Sequence, residues 1–305
     1  MKALITGIGG FVGSYLAEHL QSEGIVVSGF DRVKSNVKDA TTYEADLLDI
    51  DSMVKILETE KPDLIFHLAG QSSVDISFKE PELTQKINID GTENLFKAII
   101  QVGITPKILV VSSAEVYGIP KSLPIQESHP LQPISPYGVS RVGQEKLCKK
   151  YADKLHIVVS RSFNHTGPKQ PDKFVCPTIT KQVAEINKGK REAEVMLGDP
   201  SVRRDFSDVR DIVIAYLLAL QKGKKGETYN LCSGTSVSLR EIIEMLGKVI
   251  GKTISVTKNP DWDRKVDIPE LVGDHSKFIK DTQWQQKYKL SDTLGDMVEY
   301  WEKEI

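Results

Sequence analysis

The chain has 305 residues, of which 40% are hydrophobic, and that length predicts one large α/β domain with a satellite lobe, or two domains. Forty Lys and Arg stand against 42 Asp and Glu, a formal net charge of −2, which excludes a general nucleic-acid binder because phosphate contacts need a net basic surface. Apolar runs are strand-length, far short of the ~20 residues of a membrane-spanning helix, so no membrane partner is expected.

In chain order, Ala3 to Thr6 reads as a first buried strand. The turn Thr6-Gly7-Ile8-Gly9-Gly10-Phe11-Val12-Gly13 follows directly and opens a helix whose apolar face carries Val12, Leu16 and Leu20. Glycines at 7, 10 and 13 fit a G-x-x-G-x-x-G spacing: one for the tight turn, one to let backbone N–H groups approach a pyrophosphate, one for close helix packing. Ile25 to Phe30 forms the second strand, closed by Asp31, 18 residues beyond Gly13 and close to the ~20 expected of an acid that binds an adenosine ribose. Asp31 favours NAD by repelling a 2′-phosphate, whereas its neighbour Arg32 can embrace that phosphate and admit NADP; the reading is NAD, with NADP possible. Asp63 to Leu68, Lys107 to Val111 and His156 to Ser160 supply further strands, and Leu95, Ile99 and Val102 mark another helical face. This β-α alternation predicts a doubly wound parallel sheet of the Rossmann type, with ligands at the carboxyl ends of the strands.

Five of the fourteen prolines fall between Pro120 and Pro136, a loop near the sheet's active edge. After about Gly167 the rhythm changes, although Val209 to Gln221 and Glu227 to Cys232 are expected to return to the sheet as helix and strand. The domain expectation is therefore a dinucleotide-binding part, residues 1–168 and 205–232, and a smaller discontinuous α+β lobe, residues 169–204 and 233–305. Cys148, Cys176 and Cys232 are odd in number and widely spaced, which predicts neither disulfides nor a metal site. The N-terminus turns glycine-rich before a signal-peptide core can form, so the expected location is the cytoplasm.

Past the fifth apolar run lie Ser112-Ser113-Ala114-Glu115 and, after the proline loop, Pro136-Tyr137-Gly138-Val139-Ser140-Arg141. A strand-end hydroxyl and a tyrosine entering a helix can converge on a carbonyl. A phenol, with its ordinary pKa ~10, needs a nearby cation to trade protons at neutral pH. Arg141, one helical turn on, faces the same way and supplies it. His67, inside an apolar strand, reads as a satisfied core residue.

Together these elements resemble the extended short-chain dehydrogenases/reductases acting on nucleotide sugars, over essentially the whole chain. The resemblance rests on the Thr6–Gly13 turn, Asp46-Leu47, His67-Leu68-Ala69, Asn88-Ile89-Asp90-Gly91-Thr92, Ser113 and Tyr137. It implies that Gly7, Gly10, Phe11, Gly13, Asp31, Arg32, Asp46, Leu47, Leu68, Ala69, Tyr137 and Arg141 hold the cofactor, and that Ser113, Glu115, Tyr137 and Arg141 carry the chemistry. One departure stands out. The family pattern is Tyr-x-x-x-Lys, and this chain has Arg141 where the lysine belongs, which keeps a catalytically impaired cofactor-binding protein among the alternatives.

Phe163-Asn164-His165-Thr166-Gly167-Pro168, Phe174-Val175, Arg204-Asp205-Phe206 and Arg264-Lys265-Val266-Asp267 are similar to elements of GDP-sugar members, in which Ser113, Glu115, Asn164, Val175, Arg204, Arg264 and Asp267 would meet the substrate. Arginines suit a nucleoside diphosphate. The implied reaction is reduction of the 4-keto group of GDP-4-keto-6-deoxy-mannose, with Tyr137 protonating O4, Ser113 polarising the carbonyl and Glu115 contacting a substrate hydroxyl. Ala114 argues against a 4,6-dehydratase, since it stands where those enzymes carry a proton-transferring or polar side chain; Glu115 as a base argues for one, and that alternative stays open beside a 4-epimerase. Relatives imply a homodimer through the helix around Glu82 to Val102 and the helix after Tyr137.

Overall fold

The computed structural model describes residues 1–262 and 268–305. Arg264 and Asp267 lie outside the described residues.

Seven parallel strands form the central sheet: β1 (Lys2–Thr6), β2 (Val26–Asp31), β3 (Thr41–Glu44), β4 (Leu64–His67), β5 (Lys107–Ser113), β6 (His156–Ser162) and, far along the chain, β10 (Thr228–Leu231). Their order is β10-β6-β5-β4-β1-β2-β3. The chain therefore winds outward from β1 in one direction, returns, and winds outward in the other. The crevice between β1 and β4, where direction reverses, is the place such sheets offer a ligand.

Alternate residues of each strand feed opposite faces. Ile5, Phe66, Leu109 and Val158 pack under α1 (Phe11–Ser22) and, from later in the chain, α8 (Val209–Gln221). Leu4, Ile65, Ile108 and Ile157 pack on the other face under α2 (Ile50–Glu60), α5 (Gly91–Val102) and α6 (Pro136–Tyr151). α8 and β10 rejoin the sheet as the sequence predicts. The edge strand β3 was not anticipated, because its residues Thr41-Thr42-Tyr43-Glu44 alternate without an apolar face.

The helix expected around Glu82 to Val102 is interrupted. Two short helices, α3 (Val74–Lys79) and α4 (Pro81–Gln85), lead into a wide π turn over Lys86–Asp90 before α5 begins. α6 starts where Ser135 accepts a hydrogen bond from the Gly138 amide and Pro136 fills the first helical position, so Tyr137 is fixed in the first turn.

A second core lies beyond the sheet's carboxyl edge. It joins α7 (Val175–Asn187), α9 (Leu239–Ile250) and α11 (Leu290–Glu304) through Ile179, Val183, Ile242, Leu246, Leu294 and Met297. β7 (Asn164–Thr166), β9 (Arg203–Asp208), β11 (Ser236–Ser238) and β13 (Glu270–Leu271) make a small mixed sheet, and β8 (Glu194–Leu197) pairs with β12 (Ser255–Lys258). α10 (Ser276–Thr282) packs back beside β10 through Phe278 and Tyr229. Among the described residues no helix is long and apolar enough to cross a membrane.

Candidate active site

The glycine turn is built as the spacing predicts. Gly7 has φ +76°, and a Cβ there would stand 3.0 Å from the Ala69 amide nitrogen across the β1/β4 crevice. At Gly13 a Cβ would lie 2.2 Å from the Gly7 carbonyl oxygen. α1 has Gly10 at its cap with no side chain occupying the cap hydrogen bonds, so its first amides face the crevice with their partial positive charge. Phe11 begins the helix, its ring edge-on to Tyr15.

Beyond β2 a cavity of about 390 Å³ is lined by Gly9, Ser14, Asp31 and Val33 to Val37. Asp31 is half-buried and accepts the Arg32 amide at 2.8 Å, while the Arg32 side chain is exposed. Ser35 Oγ is buried there without a hydrogen-bond partner. Asp46 is exposed after β3 and turns back to accept the Leu48 amide; Leu47 is buried in the core beneath it. Leu68 and Ala69 follow β4, their amides donating to the backbone oxygen and Oγ1 of Thr6.

Ser113 ends β5, and its Oγ accepts the Glu115 amide at 3.2 Å, which leaves the hydroxyl proton to be donated elsewhere. Ser112, one residue earlier, faces inward and donates to Glu145 Oε1 at 2.7 Å. Ala114 is 3% exposed, and Glu115 is half-buried beside it.

Tyr137 and Arg141 meet as the helical spacing requires, the guanidinium carbon 5.1 Å from the phenol ring centroid. Arg141 is only 4% exposed. Its Nη1 donates to Val111 O at 3.1 Å and Gln144 Oε1 at 2.9 Å, both neutral acceptors, and its Nε has no partner. Arg161 is handled differently. It is paired with Glu145 at 2.8 Å and also donates to Tyr117, a buried scaffold beneath the Ser113 turn. Burial pushes the Tyr117 phenol up to about 12, against the opposing pull of Arg161.

His67 is a satisfied core residue, as read. Burial first, and the Arg141 charge second, push its pKa down to about 3, so the ring is neutral. Thr6 Oγ1 lies 2.9 Å from Nδ1 and Thr92 Oγ1 2.9 Å from Nε2.

On the substrate side, Asn164 is exposed at the start of β7 and Val175 begins α7, both half a molecule away in sequence but past the same sheet edge. His165 donates to or accepts nothing at metal spacing; its Nδ1 lies 3.0 Å from the Phe163 carbonyl. Arg204 is buried in β9 and donates to the carbonyls of Arg203 and Ile268, the latter next to the segment that carries Arg264. Arg203 pairs with Glu241, and Arg210 with Asp208 and Asp296 while lying 3.9 Å over the Tyr288 ring, so both serve the scaffold.

Missed by the sequence reading were Gln144 and the coupling of Thr92 and Asn88 to α6, through Gln144 Nε2 to Thr92 Oγ1 and Asn88 Nδ2 to Ser140 Oγ. A signal existed. The face of α6 that the fold buries reads Tyr137, Ser140, Arg141, Gln144, Glu145, a polar stripe that a purely structural helix has no reason to hide.

A glycine cradle that any Cβ would fill, bare helix amides, an acid at the end of β2, and two buried polar atoms without partners, Ser35 Oγ and Arg141 Nε, fit a dinucleotide lying across the crevice. The comparisons agree. Residues 4–297 match the family model described as GDP-mannose 4,6 dehydratase. The chain belongs to that family.

Its curated relatives in the family include a GDP-6-deoxy-D-mannose reductase of Pseudomonas aeruginosa, 32% identical over all of this chain and 98% of that protein, and a GDP-mannose 4,6-dehydratase of Vibrio cholerae, 28% identical over 97% of this chain and 92% of that one. Among solved structures, RMD from Pseudomonas aeruginosa complexed with NADPH superposes with a TM-score of 0.89 at 31% identity, covering 100% of this chain and 99% of that one. A UDP-glucose 4-epimerase of Thermotoga maritima with UDP-glucose also reaches 0.89, at 30% identity, covering 100% of this chain and 99% of the other. Other solved neighbours, a UDP-glucose 4-epimerase of Thermus thermophilus and a dTDP-glucose 4,6-dehydratase of Streptomyces venezuelae, are complexed with NAD.

Proposed function

We propose that this family member reduces the 4-keto group of GDP-4-keto-6-deoxy-mannose to a GDP-6-deoxyhexose. The observation that carries the choice of reductase over dehydratase is Ala114, a buried methyl group next to Ser113 at the point where an elimination wants a second polar or proton-transferring side chain. The full-length relative named as a reductase supports the same choice.

Gly7, Gly10, Phe11, Gly13, Asp31, Arg32, Asp46, Leu47, Leu68, Ala69, Tyr137 and Arg141 would hold the cofactor, NAD or NADP. When bound it supplies the reducing equivalent for C4. The chain's own part is the proton and the charge. Ser113, its oxygen already engaged by the Glu115 amide, donates to the substrate carbonyl and polarises it. Tyr137 gives its phenolic proton to O4, and the adjacent Arg141, whose charge no carboxylate neutralises among the described residues, stabilises the phenolate left behind. Glu115, Asn164, Val175 and Arg204, with Arg264 and Asp267 outside the described residues, would meet the sugar and diphosphate. The division into a cofactor part, residues 1–168 and 205–232, and a substrate lobe, residues 169–204 and 233–305, belongs to the same reading. So do a cytoplasmic location and a homodimer.

Glu115 beside the strand-end serine favours a GDP-mannose 4,6-dehydratase instead, as do the description of the matching family model and the relative that bears that name. Two incubations separate them: GDP-mannose with NAD or NADP, and GDP-4-keto-6-deoxy-mannose with NADH or NADPH, each followed by product identification. Turnover of the keto sugar alone, with stoichiometric cofactor oxidation, is the expected result. Conversion of GDP-mannose without net cofactor consumption overturns it.

A further inference from the structure

We propose that Gln144 is a positioning residue that holds the Arg141 guanidinium against Tyr137 through a neutral carbonyl, so that the arginine is kept in place without losing its charge. The inference rests on the reading of Tyr137 as the proton donor, and it concerns a residue one turn further along α6.

The hydrogen bonds around Gln144 admit a single polarity. The Thr92 hydroxyl proton goes to the Asn88 carbonyl, so the neutral His67 can meet Thr92 only as a donor through Nε2, and its Nδ1 accepts the Thr6 hydroxyl. The neutral ring then carries its proton on Nε2 and donates it to Thr92 Oγ1. Thr92 donates its own proton to the Asn88 carbonyl at 2.7 Å and has one acceptor site left, which takes Gln144 Nε2 at 2.8 Å. With its NH₂ committed, Gln144 presents Oε1 to Arg141 Nη1 at 2.9 Å. A flipped amide would set donor against donor at Arg141 Nη1 and acceptor against acceptor at Thr92 Oγ1. The side chain is thus locked by a directed chain that starts at the lip of the glycine turn and ends on the guanidinium.

What the chain delivers is specific to arginine. Both Nη1 protons are used, by Val111 O and Gln144 Oε1, which fixes the plane of the guanidinium beside the phenol ring. A carboxylate in the place of Gln144 would bind the guanidinium more strongly but cancel its field at Tyr137, as Glu145 does for Arg161 in the scaffold below. An ammonium at position 141 would have no planar fork for Oε1 to orient. Gln144 therefore matters to the chemistry only while position 141 is arginine.

The test is a double-mutant cycle on the full-length enzyme with Gln144→Leu, Arg141→Lys and both. In the wild-type background Gln144→Leu should lower kcat by about tenfold or more, with the KM for the sugar changed less than about twofold. In the Arg141→Lys background the same substitution should change kcat by less than about twofold. Equal losses in both backgrounds, or unchanged kcat in the wild type, would overturn the proposal, because a merely structural glutamine acts regardless of residue 141. Thr92→Val, nearly isosteric, removes the other anchor of the amide and should give a smaller loss with the same dependence on Arg141 if the leucine variant does not fold. A readout free of turnover separates this proposal from the assigned reaction. In ¹⁵N-arginine-labelled protein saturated with NADH or NADPH, whichever it binds more tightly, exchange of the Arg141 guanidinium protons should quicken by about tenfold or more in Gln144→Leu. Unchanged exchange sinks the positioning role even if the reductase assignment stands, and quickened exchange upholds it even if no GDP-sugar is turned over.

Discussion

At Tyr137 the roles of proton donor and cofactor ligand can be pulled apart with one atom. Tyr137→Phe keeps the ring over which Arg141 lies and removes only the hydroxyl. The expected outcome is a fall in kcat of about 10²-fold or more with affinity for NADH or NADPH, measured by fluorescence titration, within about twofold of wild type. Loss of cofactor binding would show that the hydroxyl, and not the ring alone, holds the cofactor. His67 supports a prediction of another kind. Its folded pKa, about 3, lies below the ordinary value of 6.5, so above 6.5 neither state is protonated and its contribution is complete. Below 6.5 the unfolded chain binds a proton that the folded chain refuses, and stability should fall by about 1.4 kcal/mol per pH unit from this residue until the folded pKa is reached. Urea unfolding between pH 7 and pH 4.5 should therefore show a shallower slope, by about one proton, in His67→Gln.

Elements differ in how openly the sequence announces them. The middles of β1, β2, β4, β5 and β6 are buried on both faces, so they appear as nearly continuous apolar runs, and the glycine turn after β1 carries a spacing of its own. The second lobe was harder to read, because β9 is Arg203-Arg204-Asp205-Phe206-Ser207-Asp208, a buried strand of mostly charged and polar residues. Asp205 accepts from Ser233, Gly234 and Gly273 and Asp208 from Thr293, partners far away in sequence, with Arg210 alone close at hand. No local pattern records such pairings. Tyr137 and Arg141 were legible through their helical spacing, whereas Gln144 was not, since its partners Thr92 and Arg141 are brought together only by the packing of α5 on α6. The turn itself gives an element-level prediction. In Gly13→Ala the new Cβ would press on the backbone of Gly7 and Ile8, which cannot rotate away, so the variant should lose about 3 kcal/mol or more and its dinucleotide binding. Gly24→Ala is the control. Its φ of +71° carries a strain of about 1 kcal/mol, but open space surrounds the site and cofactor binding should be untouched, as thermal unfolding and titration would check.

For the molecule as a whole, the near-neutral charge and the distribution of exposed apolar side chains bear on the proposed homodimer. A formal net charge of −2 puts little repulsion between two copies. Phe78 on α3, Leu83 on α4 and Val139 on α6 are 48%, 44% and 45% exposed on helices that pack on one another, a concentration that isolated surface leucines do not explain. Val139 is two residues beyond Tyr137 in the first turns of α6, so an interface there would brace the helix that carries the phenol and the guanidinium. The consequence is a link between assembly and catalysis. Phe78→Lys together with Val139→Lys should convert a dimer to a monomer in sedimentation velocity, with secondary structure unchanged by circular dichroism. The monomer should bind NADH or NADPH through the glycine turn, which lies at the other side of the crevice, yet turn over substrate more slowly because α6 is no longer braced. A wild-type chain that sediments as a monomer at micromolar concentration would overturn the homodimer, and a charged double variant that remains a dimer would move the interface elsewhere.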